Sequence, residues 1–214
     1  MSAADDRCQF ASQEKGLLGD SAARNYSDKL ALFNAFAEPE LRAVVGDLSL
    51  QPGMFVLDAG CGIGAALEWF GEAVGPSGLA VGFDLASAHV AAARARGSKQ
   101  STVLQADLLK PPFVAASFDV VWCMNTINHL RARVAGIQML TSLLRPGGRV
   151  VLAQSSFLPD MYFAWDARLE RQVSEAVFRY YRDRYNVSEQ ELASVRALTG
   201  LLREAGLEDV RPRT

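Results

Sequence analysis

Met54-Phe55-Val56-Leu57-Asp58-Ala59-Gly60-Cys61-Gly62-Ile63-Gly64-Ala65 decides the fold. Met54 to Leu57 is a continuous apolar run, the pattern of a strand buried on both faces of a parallel sheet. Asp58 ends the run, and glycines follow at every second position, 60, 62 and 64. Ala65 to Val74 then carries Leu67, Phe70 and Val74 on one helical face, at i, i+3 and i+7. Strand, glycine turn and helix in this order is how α/β folds hold a nucleotide, because glycine permits the tight turn and a close backbone approach. An ordinary strand-to-helix turn needs neither alternate glycines nor a neighbouring carboxylate. Gly60 to Ala65 also satisfies the dinucleotide pattern G-x-G-x-x-G/A. Two details lean away from a dinucleotide: Asp58 stands two residues before the first glycine, and the third glycine comes early. A buried carboxylate there repels a pyrophosphate but suits an ammonium or a sulfonium.

The next strand is Leu79 to Phe83, ended by Asp84, which follows Gly64 by 20 residues. An acidic residue at that spacing fits a carboxylate that accepts from ribose hydroxyls. It also fits a cap for the following helix. Ala86 to Arg96 is an Ala-rich helix, closed by Gly97, with His89 expected at its surface. Thr102 to Gln105 is a short third strand, followed by Asp107 and Leu108. Phe118 to Met124 is a fourth. Asn125, Thr126, Asn128 and His129 cluster after it, at the carboxyl end where open α/β sheets bind ligands. Met124-Asn125 lacks the prolines and aromatic residue of the amino-directed DNA methyltransferase signature, which removes that reading. Arg131 to Leu144 reads as a helix, broken by Arg145-Pro146-Gly147-Gly148, and Arg149 to Ala153 as the fifth strand.

Five stretches, in this order, resemble the class I S-adenosylmethionine-dependent methyltransferases. Val56 to Gly64 is similar to that family's first motif. Asp84, Asp107, the run from Pro111-Pro112-Phe113 to Ser117-Phe118-Asp119, and Leu143-Leu144-Arg145-Pro146-Gly147-Gly148 are similar to later ones. The resemblance covers about residues 54–154. It implies a doubly wound, mostly parallel α/β sheet of the Rossmann-like methyltransferase type, with S-adenosyl-L-methionine as cofactor and S-adenosyl-L-homocysteine as product. It implies that Asp58, Gly60, Cys61, Gly62 and Gly64 hold the methionine part and Asp84 the ribose. Leu85, Asp107 and Leu108 would surround the adenine, and Asn125 and Tyr26 would touch the cofactor. Tyr26 and Phe33 belong to the segment before the first strand, which often caps the cofactor in the family; simple packing is the competing role for Phe33.

The remaining chain adds expectations of its own. Residues 1–24 are small and polar and read as a flexible arm, leaving 25–214 as one domain. Lys29 to Val45 is helical, with Pro39 interrupting it. An aromatic-rich insertion at about 155–187 would lie over the acceptor; Phe157, Tyr162, Trp165 and Tyr181, with Asn128, are its candidate pocket residues. Burial of one helical face is the alternative for these aromatics. Ser188 to Glu191 is a capping box opening a helix to Ala205. Leu207 to Arg211 reads as a sixth strand, and the seventh, antiparallel strand of the resembled fold is missing.

Methyl transfer from a sulfonium is a direct displacement, so the protein mainly aligns the nucleophile and excludes water. An acceptor hydroxyl needs a base, and His129 is the candidate; packing in its loop is the other role open to it. With only two histidines and no cluster at ligand spacing, no metal site is expected. Net charge −2 and pI 5.7 weaken, without excluding, a nucleic-acid acceptor; the aromatics of the 155–187 segment point to a small, aromatic or apolar molecule instead. Three cysteines cannot frame a disulfide scaffold, no apolar run is long enough to span a membrane, and the polar N-terminus lacks a signal peptide's apolar core, so a cytoplasmic location is expected. Two rivals remain. A catalytically silent, cofactor-binding partner protein is one. An NAD(P)-dependent oxidoreductase is the other, and it lacks the Tyr/Lys pair its chemistry needs. Oligomeric state and pathway are not legible.

Overall fold

The computed structural model describes residues 16–155, 165–192 and 194–212. Its frame is a five-stranded sheet in the order β3-β2-β1-β4-β5. The strands are β1 (Phe55–Ala59), β2 (Leu79–Asp84), β3 (Ser101–Gln105), β4 (Phe118–Met124) and β5 (Leu144–Ala153). All four pairings are parallel. The helices are α1 (Ser27–Asp47), α2 (Ala65–Val74), α3 (Ser87–Arg96), α4 (Arg133–Ser142), α5 (Ala167–Tyr185), α6 (Glu189–Leu192) and α7 (Ser194–Glu204). The winding runs outward from β1 through β2 to β3, then returns to β4 and β5 on the other side. The reversal between β1 and β4 is the switch point at which open α/β sheets hold ligands.

Side-chain alternation divides the core between the two faces of the sheet. Val56 and Trp122 face one cluster with Leu67, Phe70 and Val74 of α2. Leu57, Ala59, Val121 and Cys123 face another with Ile137 and Leu140 of α4 and, half-buried, Leu201 and Leu202 of α7. Phe70 meets Trp122 edge to face, with ring centroids 5.7 Å apart. Truncating a fully buried ring such as Phe70 to alanine costs about 3–5 kcal/mol. At the foot of the sheet, Asp119 accepts from the Phe55 N–H at 2.7 Å and pairs with Arg145. That carboxylate satisfies the first donor of the central strand.

Several expectations change here. Pro39 does not split α1, which is one helix from Ser27 to Asp47. Ala35, whose carbonyl loses its partner at the proline, lies on the exposed side, where water can satisfy it. Asp58 belongs to β1 and does not follow it. Helix α4 starts at Arg133, after a 3₁₀ turn at Ile127–His129. Strand β5 begins at Leu144, because its pairing with β4 passes an irregularity between Phe118 and Val120 that absorbs the Arg145 to Gly148 turn. Leu207 to Arg211 forms no strand. The Val210 N–H bonds back to Glu208, and Asp209 pairs with Arg211, so these groups are used locally. The Ser188 capping box forms, with Glu191 accepting from the Ser188 N–H at 2.7 Å.

Residues 1–24 were expected to form a flexible arm, and the described part of it does not. Residues 1–15 lie outside the described residues, but from Gly16 onward the chain is packed. Leu17 and Leu18 are buried with Val187 and Leu192, against Phe178, Tyr181 and Tyr185 of α5 and its end. Two adjacent leucines in a polar stretch were the signal, too short to show a period. Among the described residues no helix is long and apolar enough to cross a membrane.

Candidate functional site

A cavity of about 690 Å³ opens at the switch point, beyond the carboxyl ends of β1, β2 and β4. Its floor is the glycine turn. Gly60, Gly62 and Gly64 all have positive φ, at 77°, 53° and 78°. A Cβ on Gly60 would stand 2.2 Å from Thr126 Oγ1, so glycine there lets the β1 and β4 loops touch. The turn's amides are not aimed at a ligand. Gly60 and Cys61 N–H both donate to the Phe83 carbonyl at 2.9 Å, and Gly62 N–H donates to Asp84 Oδ2 at 2.9 Å. Gly64 does not line the cavity; its expected contact with a cofactor gives way to helix packing, since a Cβ there would meet Ala93 of α3 at 2.9 Å.

Carboxylates mark the strand ends along the cavity wall. Asp58, Asp84 and Asp107 line it, from the ends of β1, β2 and β3. Asp58 is buried, and desolvation, then the Asp84 charge, pushes its pKa up to about 8. A nearby cation would draw it back to the ionised form. Asp84 accepts from Gly62 N–H at Oδ2 and from Ala86 N–H at Oδ1, so it does cap the next turn as well as face the cavity. Asp107 accepts from the Leu109 N–H at 2.9 Å and shares its stretch of wall with Leu85 and Leu108. Cys61 lines the floor as a buried thiol, raised well above its ordinary pKa by burial and then by Asp58 and Asp84, which makes it no nucleophile.

The opposite wall comes from distant parts of the chain. Residues 16–26 cross the cavity as a strap. Leu17 N–H donates to the His129 carbonyl at 2.9 Å, and Asp20 Oδ2 lies 2.8 Å from His129 Nδ1. Arg24 pairs with Asp20 Oδ1 and lies over the Tyr26 ring. Hydrogen bonding and charge from His129, with Arg24 adding to them, outweigh burial and lower the Asp20 pKa, so Asp20 is ionised at neutral pH. An ionised carboxylate accepts a hydrogen bond from Nδ1–H and leaves Nε2 as the basic nitrogen. Tyr26 sits between Asp20 and Asp84; desolvation and both charges push its pKa up to about 12. A third, apolar part of the wall is Leu30, Phe33 and Leu41 of α1 with Trp69 and Met124.

Other expected pocket residues lie elsewhere. Asn128 is buried outside the cavity wall, with Oδ1 lacking a partner among the described residues. Tyr181 packs on Leu17 and Leu18, and Trp165 is half-exposed away from the wall. Phe157 and Tyr162 lie outside the described residues. Asn125 lines the cavity at φ 49°, and its side-chain carbonyl accepts from Gln154 and Ser155 at the end of β5. His89, expected at the surface, is buried at 1% exposure beside Asp84. Asp20, Arg24, Trp69 and Met124 were not read from sequence as site residues. The two strap residues fell inside the expected arm, and nothing local marks a contact across 109 residues.

Residues 56–148 match the family model described as a methyltransferase domain. Over that stretch the chain is similar to the class I S-adenosylmethionine-dependent methyltransferases. It is 37% identical over 121 residues to nocamycin O-methyltransferase of Saccharothrix syringae, covering 55% of this chain and 43% of the relative. It is 30% identical over 171 residues to 27-O-demethylrifamycin SV methyltransferase of Amycolatopsis mediterranei (strain S699), covering 77% and 58%. The chain thus spans about half the length of these curated relatives. In fold it is similar to a SAM-dependent methyltransferase from Aquifex aeolicus, at TM-score 0.63 and 19% identity, covering 88% of this chain and 92% of that one.

The cavity fits the family's cofactor. The turn amides at 60 to 62 are used within the protein, which leaves a pyrophosphate no donors there and two carboxylates to repel it. A positively charged methionine moiety would instead find Asp58, a buried acid that a cation would ionise. A ribose hydroxyl would find an acceptor in Asp84, and an adenine amine one in Asp107, which lines the cavity with Leu85 and Leu108.

Proposed function

We propose that this methyltransferase moves a methyl group onto a hydroxyl oxygen of a small, largely apolar molecule by direct displacement. The observation that carries the reading is the Asp20–His129 pair, which lines the same cavity as the three carboxylates. A displacement that needed no proton removed would have no use for a histidine whose Nδ1 is held by an ionised acid. When bound, S-adenosylmethionine supplies the methyl group on a sulfonium, whose departure as a neutral thioether needs no acid. Asp58 balances the charge of the methionine portion, Asp84 accepts from the ribose, and Asp107 accepts from the adenine amine. His129 Nε2 takes the hydroxyl proton, and Asp20 holds the imidazolium that results.

Phe33, Leu41, Trp69 and Met124 offer apolar surface to the body of an acceptor. The printed names of two relatives specify oxygen methylation, which supports the same atom here. The expected place for the acceptor, under residues 155–187, gains no support from α5, which packs on the strap.

Parallel calorimetric titrations with S-adenosylhomocysteine, S-adenosylmethionine and NADH test the cofactor. The first two should bind and NADH should not. A screen of phenols and aliphatic alcohols against matched amines and thiols then tests the acceptor; turnover confined to amines or thiols would overturn the hydroxyl reading.

A further inference from the structure

His89 is the most buried polar side chain of the described chain, and neither the cofactor contacts nor the proton transfer above uses it. It sits on the first turn of α3, five residues after Asp84. An imidazole this deep must satisfy both ring nitrogens. Its Nε2 accepts from the Tyr26 backbone N–H at 3.4 Å, and its Nδ1 lies 3.2 Å from Asp84 Oδ1. The Tyr26 ring also meets its edge, with centroids 4.4 Å apart.

A backbone amide can only donate, so Nε2 carries the lone pair and the ring proton is on Nδ1, facing the carboxylate. The strap therefore sets the tautomer, and the tautomer makes His89 a donor to Asp84. Three protein donors then hold that carboxylate: Gly62 N–H on Oδ2, and Ala86 N–H and His89 Nδ1–H on Oδ1. A carboxylate has about four acceptor positions. With Oδ1 filled, the remaining one is on Oδ2, the oxygen nearest the glycine turn.

We infer that His89 is a positioning residue for cofactor binding: it fixes the Asp84 carboxylate so that Oδ2 is offered to a ribose hydroxyl, and it links that contact to the start of α1 through Tyr26. This rests on the S-adenosylmethionine reading of the cavity. Holding the acceptor before the ligand arrives lowers the ordering cost of binding.

The test is calorimetry on wild type, His89→Leu and His89→Asn, each with S-adenosylhomocysteine and with its 2′,3′-dideoxy analogue. Asparagine keeps an N–H close to the Nδ1 position, and leucine keeps only the volume. His89→Leu should weaken S-adenosylhomocysteine about tenfold, while His89→Asn stays within about threefold of wild type. The dideoxy analogue should bind wild type and His89→Leu equally, because it has no hydroxyl for Asp84 to accept. Equal losses for both ligands, or for both variants, would show a merely structural role and overturn the inference. So would unchanged affinity in His89→Leu. A wild type that ignores S-adenosylhomocysteine would instead overturn the cofactor reading beneath it. Thermal melts of the free proteins check that each variant is folded.

Discussion

The two walls of the cavity are assembled differently. Asp58, Asp84 and Asp107 stand at the ends of neighbouring parallel strands, so sheet register places them; Asp58 is in register with Gly82 of β2, and Asp84 with Gln105 of β3. The opposing wall has no sheet to place it. Asp20 and His129 are brought together by the strap, which is anchored through Leu17 and Leu18 to α5 and α6 and through two hydrogen bonds each to His129 and Ser87. A wall built on register is set by many mutually supporting contacts. A wall built by a strap depends on a few, each of which can be lost alone. Cofactor binding should therefore tolerate loss of the Asp20 or His129 side chain, which abolishes proton transfer.

The sharpest break in that contrast is His129→Ala. It should lower kcat by about 10²–10⁴-fold, the usual share of a general base, and leave the affinity for S-adenosylhomocysteine nearly unchanged. Asp20→Asn should act in the same direction by a smaller factor and distort the pH–rate profile. Wild-type turnover in His129→Ala would end the base assignment.

Gly60→Ala joins both walls, because its Cβ would enter Thr126 from a backbone at φ 77°. Left-handed strain and overpacking together should cost about 2–5 kcal/mol of stability, read as a lowered Tm, with weakened cofactor binding. A melt indistinguishable from wild type would mean that the two loops do not touch. Asp84→Ala should weaken S-adenosylhomocysteine binding by about 1.5–3 kcal/mol by calorimetry, the range for a hydrogen bond to a charged group. Unchanged affinity would remove Asp84 from the site.

The last effect is on pH. With a pKa near 8, against 3.8 for an ordinary aspartate, Asp58 keeps its proton at neutral pH in the free chain. The folded chain holds a proton that the unfolded chain has lost, so this group's contribution to stability falls as pH rises from about 4 to about 8. A cationic ligand reverses the preference. Affinity for S-adenosylhomocysteine should rise towards pH 8 and drop up to about tenfold per unit below it. Titrations of 5′-methylthioadenosine, which has no ammonium, should stay flat over the same range. Parallel slopes for the two ligands would separate Asp58 from the methionine portion.

Most of the register-built wall was legible in the sequence. Alternate glycines beside Asp58, and acids at the ends of the second and third strands, are local patterns, and a parallel α/β fold puts strand ends together. Gly64 was misjudged because the letters do not tell a glycine that faces a ligand from one that admits a neighbouring helix. The strap-built wall was not legible. Asp20 and Arg24 looked like residues of a solvated arm. His89 looked like the polar face of an Ala-rich helix, because a buried histidine is recognised only through its partners. The missed end of the chain has a similar cause, since Leu207 to Arg211 has strand-like apolar positions but spends its polar groups on one another.

By itself the sequence determined the α/β class, the glycine-and-carboxylate end of the cavity and the resemblance to methyltransferases, because strand period, positive-φ glycines and strand-end acids are encoded within a few residues of each other. Only the tertiary structure decided which histidine faces the cavity with an acid behind it, which histidine is buried behind Asp84, and that the strap closes the site. Those facts are pairings of side chains 63 and 109 residues apart, and no local preference encodes which distant surface a short segment will cover.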